Sequence, residues 1–230
     1  NSYSKFYDIN LISTNHILEY IKNFNTTCRF FYASSCQVFG EVDTFPQTEL
    51  TILKPNSLYS ITKVASMHLC NFYRNHHGLY SSIGILYNHE SPLRNLSFIT
   101  TQIANCAANA YLGNHEVLKV RNINAELDWG SAKDYVEAMW LTLQQKKGST
   151  YIISSGVKKS IKDFAKVAFD YVNLDYSNFI AQDEDYICVK KTPYVGSNSK
   201  IKTICNWQPN ISFIEMINEM VENQIKLLKN

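Results

Sequence analysis

An α/β fold built on a parallel sheet is what this sequence predicts, and three observations predict it. Short apolar runs alternate with amphipathic helical stretches. The order helix, strand, helix, strand implies helical crossovers, which parallel strands require. Two of the apolar runs also end in polar side chains, at Ser35 and at Asn88. Open parallel sheets bind ligands beyond the carboxyl ends of their strands.

The elements follow in order. Residues 5–23 carry Phe6, Ile9, Leu11, Ile12, Ile17, Leu18 and Ile21 at helical spacing. Arg29 to Ser35 reads as a buried strand ending in hydroxyls. Gly40 through Ser57, with Pro46 and Pro55, reads as a loop. Residues 57–76 are predicted as a helix bearing Tyr59 and Lys63, and Leu79 to Tyr87 as a second strand running into Asn88-His89-Glu90-Ser91-Pro92. After residue 95 a helix is expected over 97–111 and a short strand over Val117–Val120. Asp128-Trp129-Gly130 leads into a helix at 131–146, and Tyr151–Ser155 forms another strand. Ser160 and Asp163 make a capping box that opens a helix to about residue 174. Residues 176–191 are expected to hold one or two short strands, and 212–228 a terminal amphipathic helix. No internal repeat or low-complexity segment occurs.

Tyr59 and Lys63 form a Tyr-x-x-x-Lys pair, one helical turn apart and so on one face. An ammonium so placed can lower the phenol pKa from its usual ~10 toward working pH. The tyrosinate could then take a proton from a sugar or alcohol hydroxyl. The spacing alone is common, and its significance depends on the Ala33-Ser34-Ser35 strand end upstream.

Composition bounds the rest. The 230 residues are 45% hydrophobic and 18% charged, as a packed globular core requires. A net charge of +2 gives no argument for nucleic acid or membrane binding. No apolar run reaches the ~18 residues of a membrane helix, and no signal-like segment opens the sequence. The six cysteines are scattered without a C-x-x-C, reading as reduced thiols of a cytoplasmic protein. Asn25, Asn95 and Asn210 stand in glycosylation patterns, but nothing suggests secretion. The six histidines lack metal-ligand spacing. The sequence does not begin with Met. Its eight glycines include no G-x-G-x-x-G or G-x-x-G-x-x-G, the turn that a dinucleotide-binding strand–helix unit carries.

Five segments, taken together, resemble the GDP-mannose 4,6-dehydratase family of the extended short-chain dehydrogenase/reductase superfamily. Phe31-Tyr32-Ala33-Ser34-Ser35-Cys36-Gln37-Val38-Phe39-Gly40 matches the family's F-Y-Q-A-S-T-S-E-L-Y-G with one gap. Ser57 to Lys63 matches S-P-Y-A-x-x-K. Gly84 to Pro92 matches G-I-L-F-N-H-E-S-P almost letter for letter. Asp128 to Val136 matches D-W-G-H-A-K-D-Y-V, and Asn206-Trp207-Gln208-Pro209 matches G-W-K-P. The likeness runs across the whole chain.

The resemblance implies a Rossmann-type parallel sheet whose first strands are absent from this sequence. Residues 1–95 would be the C-terminal half of the dinucleotide-binding domain. Residues 96–230 would be mainly a smaller substrate lobe, with 131–155 returning to the sheet. It further implies NADP-dependent oxidation of GDP-mannose at C4, with NAD the alternative, then water elimination to GDP-4-keto-6-deoxymannose. Tyr59 would be the base and Lys63 would hold the tyrosinate and the nicotinamide ribose. Ser35 would bond the C4 oxygen. Ser34 and Asn88 would lie at the cofactor, and Asn88, Arg94 and Ser35 at the GDP-linked sugar. The superfamily's habit implies a homodimer or homotetramer formed through the 5–23 and 57–76 helices.

The departures are as informative as the matches. The family glutamate that moves the dehydration proton is Gln37 here, and an amide does not transfer protons near neutral pH. Cys36 and Glu90 are the neighbouring substitutes. Family cations at the substrate side are replaced by Leu93, Gln102 and Leu127, leaving Arg94, Arg121, Lys190 and Lys191 to meet a diphosphate. His89 reads as structural, and Trp129 and Asp134 as holding the lobe together. Loss of dehydration would leave a 4-epimerase, 4-dehydrogenase or 4-keto reductase. A non-catalytic nucleotide-sugar binding subunit is the reading from outside the enzymes.

Overall fold

The computed structural model describes residues 3–42, 44–183 and 193–229. The chain opens with α1 (Tyr3–Phe6), a π-helical segment (Tyr7–Ile12) and α2 (Ser13–Phe24), which run on as one helix because the junction residues keep right-handed helical angles. β1 (Phe30–Ser35) follows, then a 3₁₀ turn over Cys36–Phe39. After a long loop comes α3 (Leu58–His77). Ser57 and Ser60 exchange side-chain and backbone hydrogen bonds at its start, and Gly78 at φ 66° closes it in the left-handed conformation that glycine favours.

β2 (Ser81–Leu86) and β3 (Asn88–Glu90) are separated by Tyr87 alone, so one extended stretch passes from one sheet into another. The remaining elements are α4 (Ile99–Tyr111), β4 (Leu118–Val120), β5 (Glu126–Ser131), α5 (Ala132–Leu143), β6 (Thr150–Ile153), β7 (Lys158–Ser160), α6 (Ile161–Asp170), β8 (Ile180–Gln182), α7 (Ser199–Cys205) and α8 (Phe213–Lys229).

β1, β2 and β6 form a parallel sheet in that order, with Ser35 level with Leu86 and Leu86 level with Ile153. The three strands therefore end together. All six residues of β2 are buried, as expected of a central parallel strand. Leu18 and Ile21 of α2 and Met67, Cys70 and Tyr73 of α3 pack with Tyr32, Ile83 and Ile85 in one core. Tyr135 and Ala138 of α5 and Ile201 and Cys205 of α7, with Trp207, pack with Leu86, Tyr151 and Ile153 in a second. Among the described residues the outer edge of β1 has no partner strand.

The rest of the chain forms a third core. α4, α6 and α8 pack Ile103, Phe164, Phe169, Ile217 and Val221 around Val120 and Trp129. β3, β5 and β7 form one small sheet beside it, with β3 and β5 parallel, and β4 pairs with β8.

The expected helices and the strands at 29–35, 79–87, 117–120 and 151–155 are all present, most shifted by a residue or two. The helix opening at Ser160 stops at Asp170 rather than near 174. Asn173 turns left-handed at φ 58°, and the amide of Leu174 folds back onto the carbonyl of Phe169. β3, β5, β7 and α7 were not expected. Three of the four have six or fewer residues, and the fourth is a helix of two turns, so periodicity has little to register. Of the strands expected over 176–191, β8 is present, and 184–191 lie outside the described residues.

Candidate active site

The carboxyl end of β1 brings three of the expected site residues together. Ser35 is the last residue of the strand, and its Oγ caps the following turn by accepting the amide of Gln37 at 3.3 Å. Tyr59, in the first turn of α3, is half-buried, with Phe6 edge-on at 6.3 Å between ring centroids. Lys63 lies one turn on. Its Nζ donates to the Ala33 carbonyl at 2.9 Å and stands 5.5 Å from the Tyr59 ring centroid and 5.2 Å from that of Tyr32.

Opposing influences act on the Tyr59 phenol. Burial pushes that phenol above its ordinary value, and hydrogen bonding with Ser35 pulls it back. Burial also lowers Lys63, whose ammonium is held by a backbone carbonyl rather than by the phenol oxygen.

Ser34 is the next-to-last residue of the strand. Its hydroxyl faces α3, buried, and lies 3.0 Å from the Met67 sulfur, because alternate side chains of a strand point to opposite faces. That hydroxyl is turned away from any ligand at the strand end. Gln37 is exposed, and its side chain has no partner among the described residues.

Neither substitute for the missing glutamate is well placed for proton transfer. The Cys36 thiol is buried and pushed up to about 12 by desolvation, so it stays protonated near neutral pH. Glu90 is 1% exposed. It accepts from Thr100 Oγ1 at 2.7 Å and pairs with Arg94 Nε at 3.4 Å. Burial raises its pKa while Arg94 and Thr100 pull it down. Arg94 is thereby engaged inside its own segment, with its guanidinium 3.6 Å above the Phe98 ring.

Asn88 sits in β3, level with Trp129, and donates to the Asp128 carbonyl at 3.0 Å. His89 Nδ1 is 2.9 Å from the Tyr87 carbonyl, and burial lowers its pKa. Gln102 is half-buried and lines a cavity of about 470 Å³ with Asn105, Glu116 and Val117. Leu93 is 94% exposed and Arg121 is exposed. Lys190 and Lys191 lie outside the described residues.

Sequence reasoning missed Asp128. Its buried carboxylate accepts from Ser155 N at 2.8 Å, Ser155 Oγ at 2.7 Å, Gly156 N at 2.9 Å and Gly196 N at 3.4 Å. Burial pushes it up to about 6 against the pull of those donors. Asp134, in the first turn of α5, does similar work. Its Oδ2 accepts the amides of Asn210 and Ile211 at 3.1 and 2.9 Å, and its carbonyl accepts the Trp207 indole at 3.1 Å. The signal was available: both aspartates lie within the segment running Asp128 to Val136. Among the described residues no group of three side chains could hold a metal ion.

A three-stranded parallel sheet flanked by helices, with Ser, Tyr and Lys at one strand end, defines the class. Solved structures share the fold. RMD from Pseudomonas aeruginosa complexed with NADPH matches with a TM-score of 0.88 at 22% identity, over 95% of this chain and 73% of that one. dTDP-glucose 4,6-dehydratase from Bacillus anthracis in complex with NAD matches with a TM-score of 0.85 at 22% identity, over 96% and 69%. The fold is α/β and Rossmann-like, with a parallel sheet.

The family model for GDP-mannose 4,6 dehydratase matches residues 2–220. The Dictyostelium discoideum GDP-mannose 4,6 dehydratase is 34% identical over 220 residues, covering 88% of this chain and 62% of that protein. The human one is 30% identical over 242 residues, covering 96% and 65%. The chain belongs to the GDP-mannose 4,6-dehydratase family, and it spans less than two thirds of the length of these relatives.

Proposed function

We propose that the protein containing this chain oxidises GDP-mannose at C4, eliminates water across C5 and C6 and returns the hydride to C6, giving GDP-4-keto-6-deoxymannose with a net loss of one water. The observation that carries this is the convergence of Ser35, Tyr59 and Lys63 at the carboxyl end of β1. Of a nicotinamide dinucleotide, this chain fits the nicotinamide-ribose end. The half-buried Lys63 ammonium stands at the exposed Ala33, on the outer edge of β1. The eight glycines supply no turn for the pyrophosphate. When bound, NADP, with NAD as the alternative, would take up the C4 hydride.

Tyr59 takes the C4 hydroxyl proton at its phenol oxygen. Ser35 Oγ, which interacts with Tyr59, donates to the C4 oxygen as charge develops there. Lys63 holds the ribose hydroxyls and, by its charge, favours the phenolate. Asn88 keeps its side-chain carbonyl for the sugar, since its amide nitrogen is engaged by Asp128. Ser34 contributes through its backbone. Arg94 reaches the GDP-linked sugar only by leaving Glu90.

A second reading has a specific observation behind it. Gln37 presents an exposed amide where dehydration needs a carboxyl. An enzyme with this site would stop at C4 redox chemistry, as a GDP-sugar 4-epimerase, 4-dehydrogenase or 4-keto reductase. Incubating the full-length protein with GDP-mannose and NADP separates the two by product mass. Loss of one water supports dehydration, an isomer of unchanged mass supports epimerisation, and absence of any hydride exchange overturns both.

The reading extends to a cytoplasmic homodimer or homotetramer. No described helix is long and apolar enough to cross a membrane. Ile17, Tyr20 and Phe24 of α2 and Ile61 and Phe72 of α3 are exposed, an apolar face suited to pairing with the same helices of a second copy. A monomeric mass of the full-length protein in solution scattering would refute the pairing.

A further inference from the structure

A second concavity shares no lining residue with the Ser35–Tyr59–Lys63 cluster. It lies between the lobe core, which contributes Trp129, Phe213 and Met216, and the sheet-side segment that contributes Lys202 and Gln208. Its volume of about 590 Å³ is in the range of small-molecule sites. We propose that this cleft binds a phosphate monoester that also carries a flat aromatic ring, of which phenyl phosphate is the simplest form and nucleoside monophosphates the common biological one.

The aromatic part follows from the walls. The Trp129 and Phe213 rings lie 6.2 Å apart at 32°, and Phe164 closes the back of Trp129 at 5.8 Å. Pro209 and Met216 complete an apolar surface that accepts a ring. Trp129 is 4% exposed, yet its indole N–H has no acceptor among the described residues, whereas that of Trp207 donates to the Asp134 carbonyl. That N–H is not among the buried donors lacking a partner, so solvent reaches it in the free protein and a ligand atom can take the solvent's place.

The phosphate part follows from charge. Lys159 and Lys202 line the cleft, and no aspartate or glutamate does. The neighbouring Lys158 is paired with Glu126 at 2.8 Å, but among the described residues no carboxylate lies at ion-pair distance from Lys159 or Lys202. Asp163, whose charge Lys159 feels, is taken up by the capping box with Ser160. Lys159 instead stands 5.8 Å over the Phe213 ring. Backbone donors nearby are already engaged: the amides of Asn210 and Ile211 by Asp134, and that of Ser212 by Glu215. The anion is therefore held by the two ammonium groups and the free amide of Gln208.

The test is titration of the full-length protein with phenyl phosphate and with AMP, following the assigned indole N–H signals of its three tryptophans. The Trp129 signal should shift saturably with both. Lys159→Gln with Lys202→Gln should weaken binding roughly tenfold or more, as expected from losing charge-assisted contacts. Tyr59→Phe should leave binding unchanged, which separates this cleft from the proposed active site. A Trp129 signal unmoved at millimolar ligand overturns the proposal. So does a double variant that binds as wild type, or phenol or inorganic phosphate binding as tightly as phenyl phosphate.

Discussion

The end of β1 and the β5–α5 segment both carry motif residues, and they treat their polar atoms in opposite ways. At β5, both oxygens of Asp128 are taken up by four donors, and Asp134 binds two amides. At β1, Gln37 points an unengaged amide to solvent, and the half-buried Tyr59 phenol stands near Ser35. The β5 segment matches the family pattern more closely, yet its satisfied geometry is that of a tie between cores. A close sequence match therefore does not distinguish chemistry from architecture. Unsatisfied, accessible polar groups do.

The largest test of this contrast is Tyr59→Phe in the full-length enzyme. C4 oxidation should fall by roughly 10²–10⁴ with the melting temperature unchanged. Turnover above about one hundredth of wild type would remove Tyr59 from the base role. Gln37→Glu acts on the same strand end in the other direction. It restores a carboxyl of nearly the same size and should raise formation of the 4-keto-6-deoxy product by roughly 10²–10⁴. No gain over a wild type that already dehydrates would show that another group moves the proton.

Asp128→Ala probes the other side of the comparison. It strands several buried donors and should cost on the order of 3 kcal/mol in chemical denaturation. If Asp128→Ala instead unfolds with wild type while its turnover collapses, the distinction drawn between the two regions is wrong. A smaller and graded effect concerns pH. Burial holds the Tyr59 phenol above its ordinary value, and the active form is the phenolate, so the rate of C4 oxidation should climb with pH. The expected slope is about tenfold per unit from pH ~7 to ~9. A plateau below pH ~8 would mean that Lys63 lowers the phenol once ligands are bound.

Much of this was legible in the sequence, for reasons that differ along the chain. β1 and β2 are six-residue apolar runs flanked by amphipathic helices, and periodicity finds such elements. The Tyr59–Lys63 spacing on a helix fixes a shared face, whereas their proximity to Ser35 was implied only by the family resemblance. Short β3, β5 and β7 were not, since their pairing is set by where the third core lies. The side Ser34 faces depends on which face of β1 meets α3, and one-residue alternation alone cannot choose between faces. Burial of Cys36, and hence its inertness, likewise emerges only from packing against Val38, Phe39 and Tyr87.

Among the described residues no strand pairs with the outer edge of β1, which has a practical consequence. Phe30-Phe31-Tyr32-Ala33-Ser34-Ser35 carries no charge and no proline, and proteins normally guard a free strand edge with one or the other. Apart from the Ala33 carbonyl, which Lys63 holds, its outer amides and carbonyls form a template on which a strand from another molecule can add, and its sequence has the β-propensity of a fibril-forming segment. Any form of the protein that leaves this edge uncovered should lose solubility as concentration rises, well before it loses its fold.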